Sequence, residues 1–429
     1  TQAFIAWQNR LSEKTAMKIL MIAYPFPPYG GMSQRTVYFA NYLADKGHKV
    51  DVIAAMPSSH FHGYDEGLVS LISDKVQVHR TFAGTLHHLR YHIKRINKKL
   101  RRDDSGIALK IDKILSPFST AEWLPVGFLR SIRPCRNNDY DLVYCHGDPY
   151  VANVLALMLE KIFKMPWVMY VGDPRYFGTY SSYKRVLKHL ENACLKSASS
   201  IIVNCPETRD GYLRHFPETE SKKYHVITDG FDRRRFAEIT GEPSEKFRIV
   251  YTGVFYNSVR EPVELFKALG SLASEGLGDI ETVIAGEEAG RYREIIGDQG
   301  LDGSVRFLGH QPHDKVISLQ KGATVLLLIG WSGGYQVPGK LFEYFAAQKP
   351  VLVIRYDDDD VAAKMVNRYR RGLVVNNRAD EIKEALMKLY GLWKGDELDQ
   401  SFDLEELTEY TWERLAGNLE QVLKATAAS

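Results

Sequence analysis

The sequence predicts an α/β protein built from two doubly wound parallel-sheet domains, and three observations lead there. The chain has 429 residues, more than a single hydrophobic core commonly serves. Its opening residues run apolar stretch, glycine loop, amphipathic stretch, apolar stretch, which is the order of a βαβ unit. A second series of short apolar runs, separated by helical patterns, begins near Phe247. A hydrophobic fraction of 45% with 25% charged residues suits a globular protein and excludes disordered and fibrous classes.

Lys18 to Tyr24 (KILMIAY) is read as the first strand. The loop that follows Pro25 brings Gly30 and Gly31 to the start of a helix with Ser33 as the expected N-cap and Val37, Ala40 and Leu43 facing inward. Helix N–H groups then face an anion, although a plain turn explains a lone Gly-Gly equally well. Gly47 and His48 close the helix, and Lys49 to Ala54 form the second strand. Residues 1–16 lack a sustained apolar core and do not read as a signal peptide; they fit a short extra helix or a leader foreign to the fold.

Between His79 and Arg102 the composition shifts to eight Lys or Arg and four His, with no acid. Leu86, Leu89, Ile93, Ile96 and Leu100 recur at helical spacing, so an amphipathic helix with a basic face is expected. It either packs on the core with a solvated basic side or docks on an anionic leaflet through Arg90, Lys94, Arg95, Lys98, Lys99, Arg101 and Arg102. Nucleic-acid binding lacks the aromatic interleaving it would need, and the formal net charge of +3 is small. Residues 107–128, with Phe118, Trp123 and Phe128, are expected to line an acceptor groove or to cover the sheet.

Asp141 to His146 and Trp167 to Val171 are the next strands, with a helix over Val151 to Lys164 between them. Asp173, in G-D-P-R-Y-F-G, stands just past a strand end, where ligand-binding groups gather in such sheets, though Asp-Pro is also ordinary turn chemistry. Ser200 to Asn204 and a helix from Pro206 follow, and the polar stretch Thr240 to Glu245 reads as the linker. In the second half, Phe247 to Thr252 ends at Gly253, and Glu281 to Gly286, Val305 to Gly309 and Ala323 to Ile329 alternate with helices. The run Gly330 to Pro350 (GWSGGYQVPGKLFEYFAAQKP) is a Gly-rich loop opening a helix at Pro338, with Leu341, Phe342, Phe345 and Ala346 toward the core. Lys340 at the helix start suits a diphosphate, and Glu343 one turn on can accept from two vicinal hydroxyls; an ordinary i, i+3 surface pair is the alternative. Asp357 to Asp360 is read as a solvated acid run that can cap a helix, not as a metal site. The four cysteines show no C-x-x-C spacing and fit a reducing cytoplasm, and no apolar run is long enough to span a membrane.

These motifs, in this order, make the chain similar to retaining GT-B glycosyltransferases of family 4. The resemblance implies two Rossmann-like domains facing across a cleft, with residues 17–240 binding the acceptor, 246–405 binding the nucleotide-sugar donor, and a helix in 406–429 crossing back. It implies sugar transfer from a nucleotide diphosphate sugar, UDP- or GDP-linked, to a hydroxyl with retention, without cofactor or metal. Glu343 matches the second Glu of the family's E-x7-E motif, the ribose ligand, while the first position holds Tyr335. Gly30, Gly31, Gly253, His310, Tyr335, Val337, Pro338, Gly339 and Lys340 are the implied donor-binding residues. Asp173, Lys340 and Arg260 are the implied catalytic ones. The family's Arg and Lys after the glycine at 253 are missing, leaving Arg260 as the nearby cation. A glycan or lipid-linked acceptor in cell-envelope synthesis follows by analogy, at the inner face of the membrane. A nucleotide-sugar epimerase or phosphorylase, or a membrane-docked partner protein without activity, are the other readings.

Overall fold

The computed structural model describes residues 16–31, 33–57, 64–86, 88–89, 92, 120–137, 139–178, 184–255, 261–286, 290–330 and 334–428. The expectations for Arg260, for residues 1–15, and for Arg90, Lys94, Arg95, Lys98, Lys99, Arg101 and Arg102 lie outside them. The chain forms two compact units, one of residues up to Ile227 plus those from Trp412, the other of Thr228–Thr411.

The first unit holds β1 (Lys18–Ala23), α1 (Ser33–Asp45), β2 (Lys49–Ala55), β3 (Val76–Thr81), α2 (Trp123–Arg136), β4 (Leu142–His146), α3 (Val151–Phe163), β5 (Trp167–Val171), α4 (Lys184–Ser197), β6 (Ser200–Val203), α5 (Pro206–His215) and β7 (Tyr224–Val226). Its parallel sheet runs β3-β2-β1-β4-β5-β6-β7, so the strand order reverses between β1 and β4. β1, β4, β5 and β6 are rich in β-branched and aromatic residues and are buried along nearly their whole length, as strands covered on both faces must be. α1 buries Val37, Ala40 and Leu43 as its periodicity predicts.

Ser33 is not the expected cap. It is the first residue of α1, and its hydroxyl donates back to the Tyr29 carbonyl. Gly31, at φ +65°, turns the chain so that its own carbonyl takes the Gln34 N–H at 3.2 Å, and a side-chain cap has nothing left to do there. Trp123 is fully buried and donates from Nε1 to Thr81 at 2.7 Å, so the described part of the 107–128 stretch covers the sheet. All four cysteines are free and buried.

The second unit holds α6 (Arg233–Glu238), β8 (Phe247–Thr252), α7 (Val263–Ser274), β9 (Ile280–Ala285), α8 (Arg293–Asp298), β10 (Val305–Gly309), α9 (His313–Lys321), β11 (Val325–Ile329), α10 (Lys340–Ala346), β12 (Val351–Arg355), α11 (Val361–Arg368), β13 (Gly372–Asn376) and α12 (Ala379–Lys394). Its parallel sheet runs β10-β9-β8-β11-β12-β13 and reverses between β8 and β11. The chain enters this unit well before the polar stretch at 240–245, because α6 is tied down inside it: Lys321 Nζ donates to the Phe236 and Ile239 carbonyls and Arg235 pairs with Asp314. Asp360 is not solvated surface; it is 3% exposed and caps α11 by accepting from Ala363 N–H at 2.9 Å.

α13 (Trp412–Ala427) returns to the first unit. It starts later than the segment 406–429 suggests, since Thr408–Tyr410 is a 3-10 turn and Thr411 is extended, bridging Phe231. Trp412 stacks on Tyr38 at 5.6 Å and meets Phe39 edge-on at 5.8 Å, a burial that contributes about 2 to 3 kcal/mol.

Candidate functional site

In open parallel sheets, ligands bind beyond the carboxyl ends of the strands where the order reverses. Each unit places its candidate residues there, and each is described in its own frame.

In the Thr228–Thr411 unit, β8 is followed by Gly253, whose φ of +144° is a conformation side chains rarely adopt. A Cβ at this position would stand 2.2 Å from Lys340 Nζ, so the glycine makes room for that ammonium. Nζ lies 4.4 Å from the centroid of the Tyr251 ring and 3.4 Å from its hydroxyl. Tyr251 is itself stacked on Phe255 at 4.5 Å. The first turn of α10 is closed by Leu341 N–H to Pro338 O and Phe342 N–H to Gly339 O, while Val337, 4% exposed, anchors the preceding loop. Leu341, Phe342 and Phe345 are buried as expected, and Tyr344 rather than Ala346 completes the inner face.

Glu343 sits one turn beyond Lys340. Its Oε1 lies 2.9 Å from His313 Nε2, and its Oε2 accepts from Gln320 Nε2 at 3.1 Å. Gln320 also donates to Thr252, whose N–H and hydroxyl both donate to the Tyr344 hydroxyl. Burial opposes the charge on Glu343, but His313, Gln320 and Lys340 outweigh it and hold the carboxyl below its ordinary pKa. The carboxylate therefore stays an acceptor. His313 and Gln320 were not among the residues expected from the sequence. Within the H-Q-P-H-D segment, His310 is exposed at the end of β10, and it is His313 that reaches Glu343. Tyr335 is half-buried in the loop before α10.

In the other unit, the Gly30–Gly31 loop is braced from behind. Arg80 Nη1 approaches the Phe26 and Ala55 carbonyls at 3.4 Å, its Nη2 donates to Pro27 O, and the Tyr29 hydroxyl donates to Met56 O at 3.2 Å. Asp173 is exposed on the turn after β5. That turn is held by Glu191 of α4, a fully buried carboxylate that accepts from Arg175 N–H at 3.2 Å, Tyr176 N–H at 2.9 Å and the Tyr212 hydroxyl at 2.6 Å. Arg175 in turn pairs with Asp148 in the loop after β4. Burial pushes the Glu191 pKa up, and the three hydrogen bonds only partly pull it back.

His146, at the end of β4, is 3% exposed and stacks on Tyr170 at 4.9 Å. Burial and the Arg35 guanidinium depress its pKa to about 3. The unfolded chain thus takes up a proton below pH 6.5 that the folded chain refuses, so this contribution is complete above that pH and declines as pH falls toward 3. Between pH 7 and pH 5 the loss should be about 2 kcal/mol. His146→Phe should flatten that part of the decline when unfolding midpoints in urea are compared at the two pH values.

Among the described residues no group of three or more His, Cys, Asp or Glu is placed to hold a metal ion, and no helix is long and apolar enough to cross a membrane.

Two family descriptions match consecutive parts of the sequence: Glycosyltransferase Family 4 over residues 29–235 and Glycosyl transferases group 1 over residues 232–402. The chain belongs to glycosyltransferase family 4. Curated protein sequences give no match. Among solved structures, this family 4 protein is similar to Anabaena HepE in complex with UDP and glucose, at 15% identity and TM-score 0.64, covering 95% of this chain and 100% of that one. It is similar to WaaG, a glycosyltransferase involved in lipopolysaccharide biosynthesis, at 15% identity and TM-score 0.55, covering 96% and 98%. It also resembles the UDP-GlcNAc 2-epimerase from Neisseria meningitidis bound to UDP-GlcNAc, at 14% identity and TM-score 0.55, covering 95% and 99%. At such identities the likeness establishes the GT-B fold of two Rossmann-like domains. It agrees with the two parallel sheets of the two units.

Proposed function

We propose that this family 4 glycosyltransferase moves a sugar from a nucleotide diphosphate sugar to a hydroxyl acceptor with retention of configuration and without a metal. The observation that carries the reading is the placement of Lys340 and Glu343, one turn apart on α10, beside Gly253 at the reversal point of the donor-side sheet. In this reading the diphosphate meets Lys340 and the N–H groups at the start of α10, with Val337, Pro338 and Gly339 shaping the approach. The ribose hydroxyls donate to Glu343, which His313 and Gln320 hold in place. His310 and Tyr335 border the base and the sugar.

In the N-terminal unit, the family resemblance gives Gly30 and Gly31 the role of offering N–H groups to a phosphate, and Asp173 that of offering its carboxylate to positive charge developing on a sugar. The leaving diphosphate takes the acceptor's proton on the face it departs from. A UDP- or GDP-sugar donor and a lipid-linked or polysaccharide acceptor of the cell envelope fit the resemblance, and HepE and WaaG support that choice by their UDP complex and lipopolysaccharide role.

A thermal-shift panel of UDP, GDP, ADP and TDP tests the donor assignment. A diphosphate at a hundred times its Kd should add about 2.7 kcal/mol of stability. Glu343→Ala should abolish the rise, and absence of any rise at millimolar nucleotide would sink the reading. The shared fold of the Neisseria epimerase favours epimerisation as the second reading. Turnover of a nucleotide sugar with no acceptor present would select it.

A further inference from the structure

The Thr228–Thr411 unit has a cavity of about 580 Å3 at the end of its sheet opposite the donor candidates. It forms where the chain enters β8, β11 and β12, since Ser244, Thr324 and Lys349 in its lining stand just before those strands. β8 is six residues long, so about 20 Å of strand separates the cavity from Gly253. Its walls are fixed. Glu242 N–H donates to Ser318 O at 3.0 Å, and a Cβ on Gly241 would stand 2.8 Å from Lys321 O, so the chain before β8 lies directly on the end of α9. Trp393, half-buried at the end of α12, is held by Phe247 and Tyr390, each at 5.6 Å between ring centroids.

The polar groups of the lining select an occupant. Lys321 and Lys349 are balanced there by Asp396 and Asp399, and the Lys321 ammonium is already engaged with the Phe236 and Ile239 carbonyls. α9 and α12 both end at the cavity, and the negative ends of their dipoles disfavour an anion. Among the described residues no group of acids, histidines and cysteines is placed for a metal ion. Lys349, Asp396, Asp399 and Gln400 make no side-chain hydrogen bond or ion pair with described residues, which leaves donors and acceptors for a ligand. Both kinds of partner beside an indole suit a neutral polyhydroxylated molecule, whose hydroxyls use each kind and whose C–H face packs on the ring. Asp396 is unfavourable for the fold on two counts. Its φ of +57° is the helix-ending conformation for which glycine is the usual residue, and its charge stands at the negative end of α12. Stability does not account for an acid there; a ligand in the cavity does.

We propose that this cavity binds a neutral oligosaccharide, with a sugar ring on Trp393 and hydroxyls on Lys349, Asp396 and Asp399, as a glycan anchor separate from the reaction site. The inference goes beyond the donor assignment and stands without it. The test is affinity electrophoresis of the full chain, without nucleotide, in native gels each holding one neutral polysaccharide: dextran, soluble starch, galactomannan or xylan. Wild-type protein should be retarded in at least one. Asp396→Gly removes the carboxylate and suits the left-handed backbone, so it should weaken the retardation about tenfold while its melting point equals or exceeds that of wild type. Excess UDP and the Glu343→Ala substitution should leave the retardation unchanged, and Asp396→Gly should keep the wild-type response to nucleotide, so the two sites fail separately. No retardation in any gel overturns the inference, as does retardation that Asp396→Gly leaves intact or that UDP or Glu343→Ala removes. A thermal shift with spermidine or inorganic phosphate that Asp396→Gly abolishes overturns it too, because the cavity then takes an ion.

Discussion

Lys340→Ala should lower kcat about a hundredfold at saturating donor, the scale seen when one charge-stabilising donor is removed from a reaction centre. The ammonium is held over the Tyr251 ring, and its space exists because residue 253 has no side chain. Two separate elements are thus adapted to one cation, more than an i, i+3 pair with Glu343 would require. Glu343 keeps His313 and Gln320 in the variant, so nucleotide affinity should fall much less than turnover. The split between kcat and the nucleotide thermal shift is the measurement. An unchanged kcat would remove Lys340 from leaving-group stabilisation, and a loss confined to nucleotide affinity would make it a binding residue only.

Glu191→Ala should be the most damaging substitution for the N-terminal unit. It would leave the Arg175 and Tyr176 N–H groups and the Tyr212 hydroxyl without their buried acceptor, each at about 1 to 3 kcal/mol. A total of about 4 kcal/mol corresponds to a melting-point drop of roughly 10 °C for a unit of this size. Tyr212→Phe removes a single one of these bonds and should cost about 1 kcal/mol. Since the same carboxylate sets the turn bearing Asp173, Tyr212→Phe should also lower kcat more than donor affinity. Equal stability of Glu191→Ala and wild type in calorimetry would contradict the whole account.

Local sequence was enough where the physics is local. The strands Trp167–Val171 and Phe247–Thr252 were readable to the residue, because a strand buried along its whole length is a mainly apolar run between breakers; Val305–Gly309, an edge strand buried only at Val305, was readable from its short run between Ser304 and the glycine at 309. Glu343 and Lys340 were legible through their motif on one helix. Glu191 was not legible as a clamp, since its partners lie at 175, 176 and 212 on two other segments. His313 and Gln320 left one faint signal. They are two turns apart on α9, which makes Gln320 a polar residue on a face that buries Ile317. The unit boundary was misplaced for a related reason. A Gly- and Pro-rich stretch marks where chain can be flexible, whereas the change of unit is set by what α6 bonds to, and Lys321 and Asp314 lie far downstream. Ser33 shows the opposite error, a correct residue type for a cap whose task the Gly31 carbonyl had already taken.

α13 has a bearing on how the chain is made. Trp412, Leu415, Ala416, Leu419, Val422 and Leu423 belong to the same apolar cluster as β1, β2 and α1, and Glu420 reaches His48, which accepts from the Met17 N–H. During synthesis, the part of the N-terminal sheet's α1 side that α13 covers stays open until residues 412–428 emerge, after the entire second unit. The N-terminal half is therefore begun first and completed last, and a fragment that stops at the apparent domain border is missing a wall of its own core.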